Sequence, residues 1–411
     1  VQKVLIISYD VNPNWGSEAG KAHNWIMAMA EHFDIEVFVH SKHREDIEAY
    51  PYPDNIRVHF SSANEKIEQS LAEKRRFDKV NNLFIEAIEK GFIETVRSKK
   101  HKFVLFLSPS GIHSFNTLYK KCEFSYAVGP LGGGIRTPGG FGRLFSTKER
   151  VADFLRNRFY SNLKSNPEYI GYLENASRII IGSEYLYEYL PSTAQKNAVV
   201  YFDTLVDMKE FPHEEQPESG VKDDGQIRLL YTGRLCPQKG IRMLVEAMNN
   251  IRIQYTHIAN KLCLNVFGDG TERTRMQALV SKYKLGKDVF IHGAVPRAQI
   301  LQELKNADIY CLPTVREPGG QSILEAMAAG LPIITSDYGG PKFSVTEDCG
   351  IKIPVDNYKN YIQNLTNAIV KLAEDEPLRR KMGAAARKRV SEEYSLEALV
   401  KKIPEIFGNL I

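Results

Sequence analysis

The stretch Thr314-Val-Arg-Glu-Pro-Gly-Gly-Gln-Ser-Ile-Leu-Glu-Ala-Met-Ala-Ala-Gly-Leu-Pro332 holds two glutamates, Glu317 and Glu325, on either side of a glycine pair. The apolar run before it, Ala307-Asp-Ile-Tyr-Cys-Leu-Pro313, reads as a buried parallel strand. Ser322 to Ala329 are mostly strong helix formers, with Gly330 as a C-terminal stop and Pro332 just beyond. Gly319 and Gly320 therefore fall where strand turns into helix, and their backbone N–H groups are expected to point, unbonded, into a crevice. Such a mouth favours anions, because unpaired N–H groups and the helix dipole both present positive charge there.

Two carboxylates beside an anion site would repel a bare phosphate. A sugar nucleotide reconciles them, since a carboxylate accepts a hydrogen bond from each hydroxyl of a vicinal diol, and charged acceptors make the stronger bonds. Glu325, about one turn into the helix, suits ribose; Glu317, at the mouth, suits hydroxyls of a transferred sugar. Read in isolation, the pair would be an acid favouring the helix dipole plus a solvated face. The wider sequence argues for the first reading.

The stretch resembles the E-x7-E region of retaining glycosyltransferases of family 4, which have the GT-B fold. Leu229-Leu-Tyr-Thr-Gly-Arg-Leu-Cys-Pro-Gln-Lys-Gly240 resembles the first strand and loop of that family's C-terminal domain. Leu264-Asn-Val-Phe-Gly-Asp-Gly270, Val289-Phe-Ile-His-Gly293 and Thr335-Ser-Asp-Tyr-Gly-Gly-Pro341 are similar to its further landmarks, in the expected order. The pattern covers residues 200 to 395; the N-terminal half resembles the family more loosely. The resemblance implies an α/β protein of two Rossmann-like domains facing each other across a deep cleft. Residues 1–203 would form an acceptor-binding domain and 204–392 a nucleotide-sugar-binding domain, with a helix in 393–411 crossing back to the first.

Arg234 and Lys239 lie around a proline turn. A departing nucleoside diphosphate gains charge as the sugar–oxygen bond breaks, and two fixed cations aimed there stabilise the transition state more than the ground state. The resemblance gives its own Arg/Lys pair this role, so Arg234, Lys239 and Glu317 are the expected catalytic residues. The expected donor-binding set is Gly16, Gly268, Ile291, Gly319, Gly320, Gln321 and Glu325. The base would be met by backbone groups around Ile291, and Gly268 with Gly270 would permit close packing.

The first loop, Gly16-Ser-Glu-Ala-Gly-Lys21, is not a P-loop: the glycines are too close, and Ala22 stands where a Mg²⁺-binding hydroxyl is required. By resemblance Gly16 approaches the donor phosphate or the acceptor. Glu18 either contacts acceptor hydroxyls or caps the helix. Family members usually carry a histidine after the strand at 126–128; here the sequence is Val128-Gly-Pro-Leu-Gly-Gly-Gly134. His113 stands as a substitute or as an incidental loop histidine, and Arg136 suits a phosphate on a lipid-diphosphate acceptor. No strand-end Asp-x-Asp and no His/Cys cluster is seen, so neither a metal nor another cofactor is expected. Retention of configuration follows from the family, and a front-face route, in which the leaving phosphate deprotonates the acceptor, needs no carboxylate nucleophile.

At 411 residues the chain suits two domains of about 200 residues. With 43% apolar and 25% charged residues it is an ordinary globular composition. The five cysteines are scattered without a C-x-x-C pair, as expected of reduced thiols in a cytoplasmic protein. No apolar run reaches the roughly 20 residues that span a bilayer, and Val1 to Ser8 reads as a first strand rather than a signal peptide. A helical region is expected from the second strand to about residue 100.

The net charge of +4 is unevenly placed: residues 63–165 hold 19 Lys plus Arg against 10 Asp plus Glu. Stretches such as Arg143-Leu-Phe-Ser-Thr-Lys-Glu-Arg-Val-Ala-Asp-Phe-Leu-Arg-Asn-Arg-Phe-Tyr160 interleave arginine with apolar residues, which fits either a solvated helix face or a helix lying on an anionic inner-membrane surface. Nucleic acid is not an expected partner, because no binding module accompanies the charge. The expected substrates are a nucleoside-diphosphate sugar and a glycan or lipid-linked glycan of cell-surface polysaccharide synthesis. A sugar-nucleotide epimerase, a glycogen-type synthase and a non-catalytic glycan- or membrane-binding relative remain alternatives. A dehydrogenase ranks low without G-x-G-x-x-G after the first strand.

Overall fold

The computed structural model describes every residue except 1, 15–16, 74–76, 99, 123, 203, 213–224 and 411. Gly16 and residues 213–224, just past the expected domain boundary, lie outside the described residues. Contacts divide the chain into two units. One comprises residues 1–134, 156–205 and 396–411; the other comprises 135–155 and 206–395.

The first unit is built on β1 (Gln2–Ser8), β2 (Phe33–His40), β3 (Ile56–Ser61), β4 (His101–Ser108), β5 (Tyr126–Leu131), β6 (Arg178–Ile181) and β7 (Ala198–Val200). They form one parallel sheet in the order β3-β2-β1-β4-β5-β6-β7. Its central strands are apolar on both faces, as a sheet covered on both sides requires. In β1, Val4 and Ile6 face one core while Leu5 and Ile7 face the other. The helix Leu396–Phe407 lays Leu399, Ile403, Ile406 and Phe407 into the first of these cores, with the Phe407 ring 5.0 Å from Phe103. Burying one such phenylalanine is worth about 2–3 kcal/mol.

One expectation fails here. The region after β2 is not helical throughout, because Ile56-Arg-Val-His-Phe-Ser pairs with β2 as the edge strand β3. Its alternation of Ile56, Val58 and Phe60 with polar residues is the period-two signature of a half-covered edge.

The second unit is built on β8 (Ile227–Thr232), β9 (Leu262–Phe267), β10 (Val289–Gly293), β11 (Ile309–Leu312), β12 (Ile333–Ser336) and β13 (Gly350–Ile353), parallel in the order β10-β9-β8-β11-β12-β13. Helix starts are written into the sequence. Asn357 caps Tyr358–Glu374 by accepting from the Asn360 N–H at 2.9 Å, and Asp375 caps Glu376–Arg389 by accepting from the Leu378 N–H at 2.9 Å.

Residues 135–155, which the sequence reading kept within a contiguous 1–203 domain, group with this second unit. The reason is aromatic packing: the buried Phe141 meets Tyr361 edge-on at 5.4 Å and Tyr358 at 6.2 Å, and the Arg143 guanidinium lies 4.4 Å over the Tyr358 ring. The partition falls inside the helix Thr147–Asn162.

Candidate active site

In an open parallel sheet, ligands bind beyond the carboxyl ends of the strands, where the strand order reverses. In the second unit that switch lies between β8 and β11, neighbours from which the chain winds outward in both directions. The loops after these two strands are the ones that carry Arg234 and Lys239 on one side and Glu317 on the other. They are sewn together. The Gln238 carbonyl accepts from Thr314 Oγ1 at 2.9 Å and from the Val315 N–H at 2.8 Å. Gly240, left-handed at φ 68°, starts the helix Ile241–Gln254, and a Cβ there would overlap the Pro313 carbonyl. At the base of the junction the buried Tyr310 hydroxyl meets Thr232 Oγ1 at 3.0 Å, tying the two strand ends together.

These ties bring Lys239 Nζ and Glu317 Oε2 into an ion pair, with side chains only 15% and 12% exposed. The other oxygen of Glu317 accepts the Gly320 N–H at 3.0 Å. This departs from the expectation of unbonded N–H groups at both glycines: Gly320 is taken by the carboxylate at the same mouth. Its φ of 83° closes that turn without a side-chain clash. Glu317's main chain is held from a third direction by the loop after β12, where the Gly340 N–H donates to the Glu317 carbonyl at 2.8 Å. A Cβ on Gly340 would overlap the Pro318 carbonyl, so Gly340 permits this approach. Arg234 stands exposed on the β8 loop, and among the described residues it makes no ion pair.

Glu325 is buried on the helix Gln321–Ala328, at 5% exposure. Its Oε1 accepts from Arg297 Nη1 at 2.7 Å and from Gln321 Nε2 at 3.2 Å. Arg297 in turn forks onto Glu210, with Nε and Nη2 at 3.3 and 2.6 Å from its two oxygens. Burial would weaken the Arg297 charge, but its hydrogen bonds to Glu210 and the charge of Glu325 outweigh this and push its pKa above the usual guanidinium value. Arg297 and Glu210 carry no sequence signal for this role; Arg297 is simply the first residue of its helix. Gln321 is brought to Glu325 as a brace.

Gly268, φ 140°, lies so close to the Gly233 backbone that a Cβ would overlap its carbonyl, and Gly270 stands likewise against Leu235. These glycines therefore pack the β9 loop onto the β8 loop. Ile291 lies in β10, two strands from the switch, and its side chain lines a separate hollow with Arg252, Val280 and Lys287.

In the first unit the switch lies between β1 and β4. Glu18, in the helix Ser17–Ala30, does something neither sequence reading foresaw. Its Oε1 accepts the Ser110 N–H at 2.5 Å and the Ser108 Oγ at 3.4 Å, fastening the β4 loop. Burial raises its pKa against the lowering effect of the Ser110 N–H. Asp10, just past β1, is pushed the other way. Burial would raise it, but His43 Nε2 at 3.0 Å and Lys42 Nζ at 2.5 Å hold it below the usual carboxylate range. His43 Nδ1 faces Asn12 Nδ2 at 3.2 Å, so the tautomer with hydrogen on Nε2 satisfies both contacts. Asp10 and His43 escaped sequence reading because only the fold joins the ends of β1 and β2. His113 is exposed with its ring 5.8 Å from Tyr160. Arg136 belongs to the second unit, where its carbonyl accepts from the Tyr338 hydroxyl at 3.1 Å. Glu18 and His113 thus belong to the first unit and Arg136 to the second.

Among the described residues no group of three or more His, Cys, Asp or Glu side chains is arranged to hold a metal ion. No described helix is long and apolar enough to cross a membrane.

Residues 212–389 match the family described as Glycosyl transferases group 1. An uncharacterized glycosyltransferase of Methanocaldococcus jannaschii is 32% identical over 192 residues, covering 46% of each chain. The GDP-mannose-dependent monoacylated alpha-(1-6)-phosphatidylinositol monomannoside mannosyltransferase of Corynebacterium glutamicum is 26% identical over 238 residues, 55% of this chain and 57% of that protein. The chain thus matches about half the length of these curated relatives. The solved structure of sucrose-phosphate synthase from Thermosynechococcus elongatus aligns over 100% of this chain and 99% of its own, with a TM-score of 0.68 and 21% identity. That likeness establishes the fold, the GT-B architecture of two parallel-sheet α/β domains.

Proposed function

We propose, from the match of residues 212–389 to the glycosyl transferases group 1, that the chain moves a sugar from a nucleoside-diphosphate donor to a glycan or lipid-linked glycan acceptor, with retention of anomeric configuration. The observation that carries this reading is the junction of the β8 and β11 loops, where Lys239 pairs with Glu317 at the switch point of one sheet and Glu325 is held by Arg297 on the helix that follows.

Each group has a part in it. Glu317 neutralises Lys239; an arriving pyrophosphate offers the ammonium a stronger partner and leaves Glu317 to accept from sugar hydroxyls. Arg234 supplies a second cation to the same diphosphate. Glu325, held by Arg297 and Gln321 through one oxygen, turns the other to the ribose diol. As the anomeric carbon–oxygen bond breaks, its electron pair goes to the β-phosphate, whose charge Lys239 and Arg234 stabilise. The acceptor oxygen attacks the same face, and its proton passes to the departing phosphate oxygen. No metal has a part in this scheme. The first unit binds the acceptor, and the cytoplasmic face of an anionic membrane is the place where a lipid-linked acceptor would be met.

The test is transfer and nucleotide release from labelled donor. Lys239→Ala should lower kcat by about 10²–10³-fold, the usual cost of removing one fixed transition-state donor. Unchanged turnover in that variant would end the proposal. A thermal-shift panel of sugar nucleotides identifies the donor, since ligand at 100 times its Kd stabilises by about 2.7 kcal/mol.

A further inference from the structure

The helix Thr147–Asn162 presents large apolar side chains to solvent: Phe154 is 67% exposed, Leu155 60%, Val151 55% and Phe159 52%. Their spacing, with Arg158 between, follows i, i+3, i+4, i+7 and i+8, so they share one stripe of the helix. A contiguous exposed apolar stripe signals an interaction surface. The charges say with what.

Both acids of this helix are engaged on its other side. Glu149 accepts from the Ser146 N–H at 2.8 Å and from its hydroxyl at 2.7 Å, closing a capping box. Asp153 takes Arg316 Nη1 at 2.8 Å and Thr137 Oγ1 at 2.8 Å. On a helical wheel both lie roughly opposite Val151 and Leu155. The outward face therefore carries exposed Lys148, Arg150 and Arg158 beside the apolar stripe, with no carboxylate among them.

We propose that the face of Val151, Phe154, Leu155 and Phe159 docks on an anionic lipid bilayer, the apolar side chains entering the headgroup boundary while Lys148, Arg150 and Arg158 meet lipid phosphates. A lipid surface supplies both halves of what this face offers: apolar depth for rings that lie flat on a helix, and negative charge at the rim. A nucleic acid offers the charge without the apolar depth. The inference rests on the proposed transfer reaction only for what the docked protein does there; docking itself needs no donor.

The experiment is cosedimentation without sugar nucleotide, using vesicles of phosphatidylcholine alone and of phosphatidylcholine with phosphatidylglycerol. The protein should pellet with the anionic vesicles and stay in solution with the neutral ones. Added salt should release it partly, as the Debye length shrinks from about 10 Å toward 3 Å. The double variant Phe154→Ser, Leu155→Ser should bind anionic vesicles about tenfold or more weakly, since it removes two apolar anchors while keeping every charge. Its circular dichroism melt should match that of the parent, because both side chains lie in solvent. The proposal is overturned by equal pelleting with neutral vesicles, by no pelleting with either, or by undiminished binding of the double variant. A dimer in solution that the double variant splits would assign the face to a second copy and overturn it too. The labelled-donor assay is independent of each of these outcomes, so the docking and transfer readings fail separately.

Discussion

Glu325 shows how one side chain comes to be ready for a ligand. A buried carboxylate without partners carries a desolvation cost of several kcal/mol, so such groups are paired in folded proteins. Here Arg297 supplies the pairing through one oxygen, and the guanidinium is itself steadied by Glu210. Under the proposed donor role, Glu325→Ala raises the donor KM with kcat less affected, because ribose is remote from the bond that breaks. Arg297→Ala raises the same KM by a smaller factor. It also narrows the preference for a ribo- over a 2′-deoxyribonucleoside donor, which a loss of mere stability would leave alone. Steady-state kinetics with the two donors check this, and an unaltered preference would leave Arg297 a structural tie only. The two glutamates and the Arg234/Lys239 pair are legible in sequence because they sit in short motifs with a chemical reason for each spacing. Arg297 and Glu210 are not: Arg297 lies 28 residues from Glu325 and 87 from Glu210, with only the folded chain to join them.

Strands and their loops carry the next level of order. Gly233, Gly268 and Gly270 let the β8 and β9 loops lie backbone against backbone, which sets the position of Arg234 between them. Gly268→Ala forces a side chain onto the Gly233 carbonyl at a φ of 140°, a conformation that L-residues rarely adopt. Strain and overpacking together should cost about 2–4 kcal/mol. A urea midpoint lowered at unchanged slope checks it, and a midpoint within error of the parent would show that the loops separate freely. The apolar strand before Glu317 and the helix after it were readable because length, β-branched content and flanking glycine agree. β3 was not, as its short alternating run lies among polar, helix-favouring sequence, and only its pairing with β2 gives it identity. Glu18 was half readable. Its place in the first helical turn was evident, but its tie to Ser110 depends on β1 and β4 being neighbours.

At the scale of the whole molecule, length and the alternation of strands with helices were enough to expect two parallel α/β halves. The contiguous boundary was not legible, because Phe141, Leu144 and Phe145 look in sequence like any apolar triplet. What decides their allegiance is the pair Tyr358 and Tyr361, more than two hundred residues downstream. The same feature limits how this polypeptide is divided. A recombinant fragment ending at residue 205 keeps the insert but loses the tyrosines that bury Phe141, and loses as well the Leu399, Ile403 and Phe407 that cover Trp25. Such a fragment should aggregate and bind a hydrophobic dye on purification, while the intact chain stays dispersed; a monodisperse, dye-negative fragment would refute this. Because the backbone passes between its halves four times rather than once, severing the 206–226 connection leaves the pieces mutually dependent. Evolutionary exchange of one half for another would have to carry that insert along.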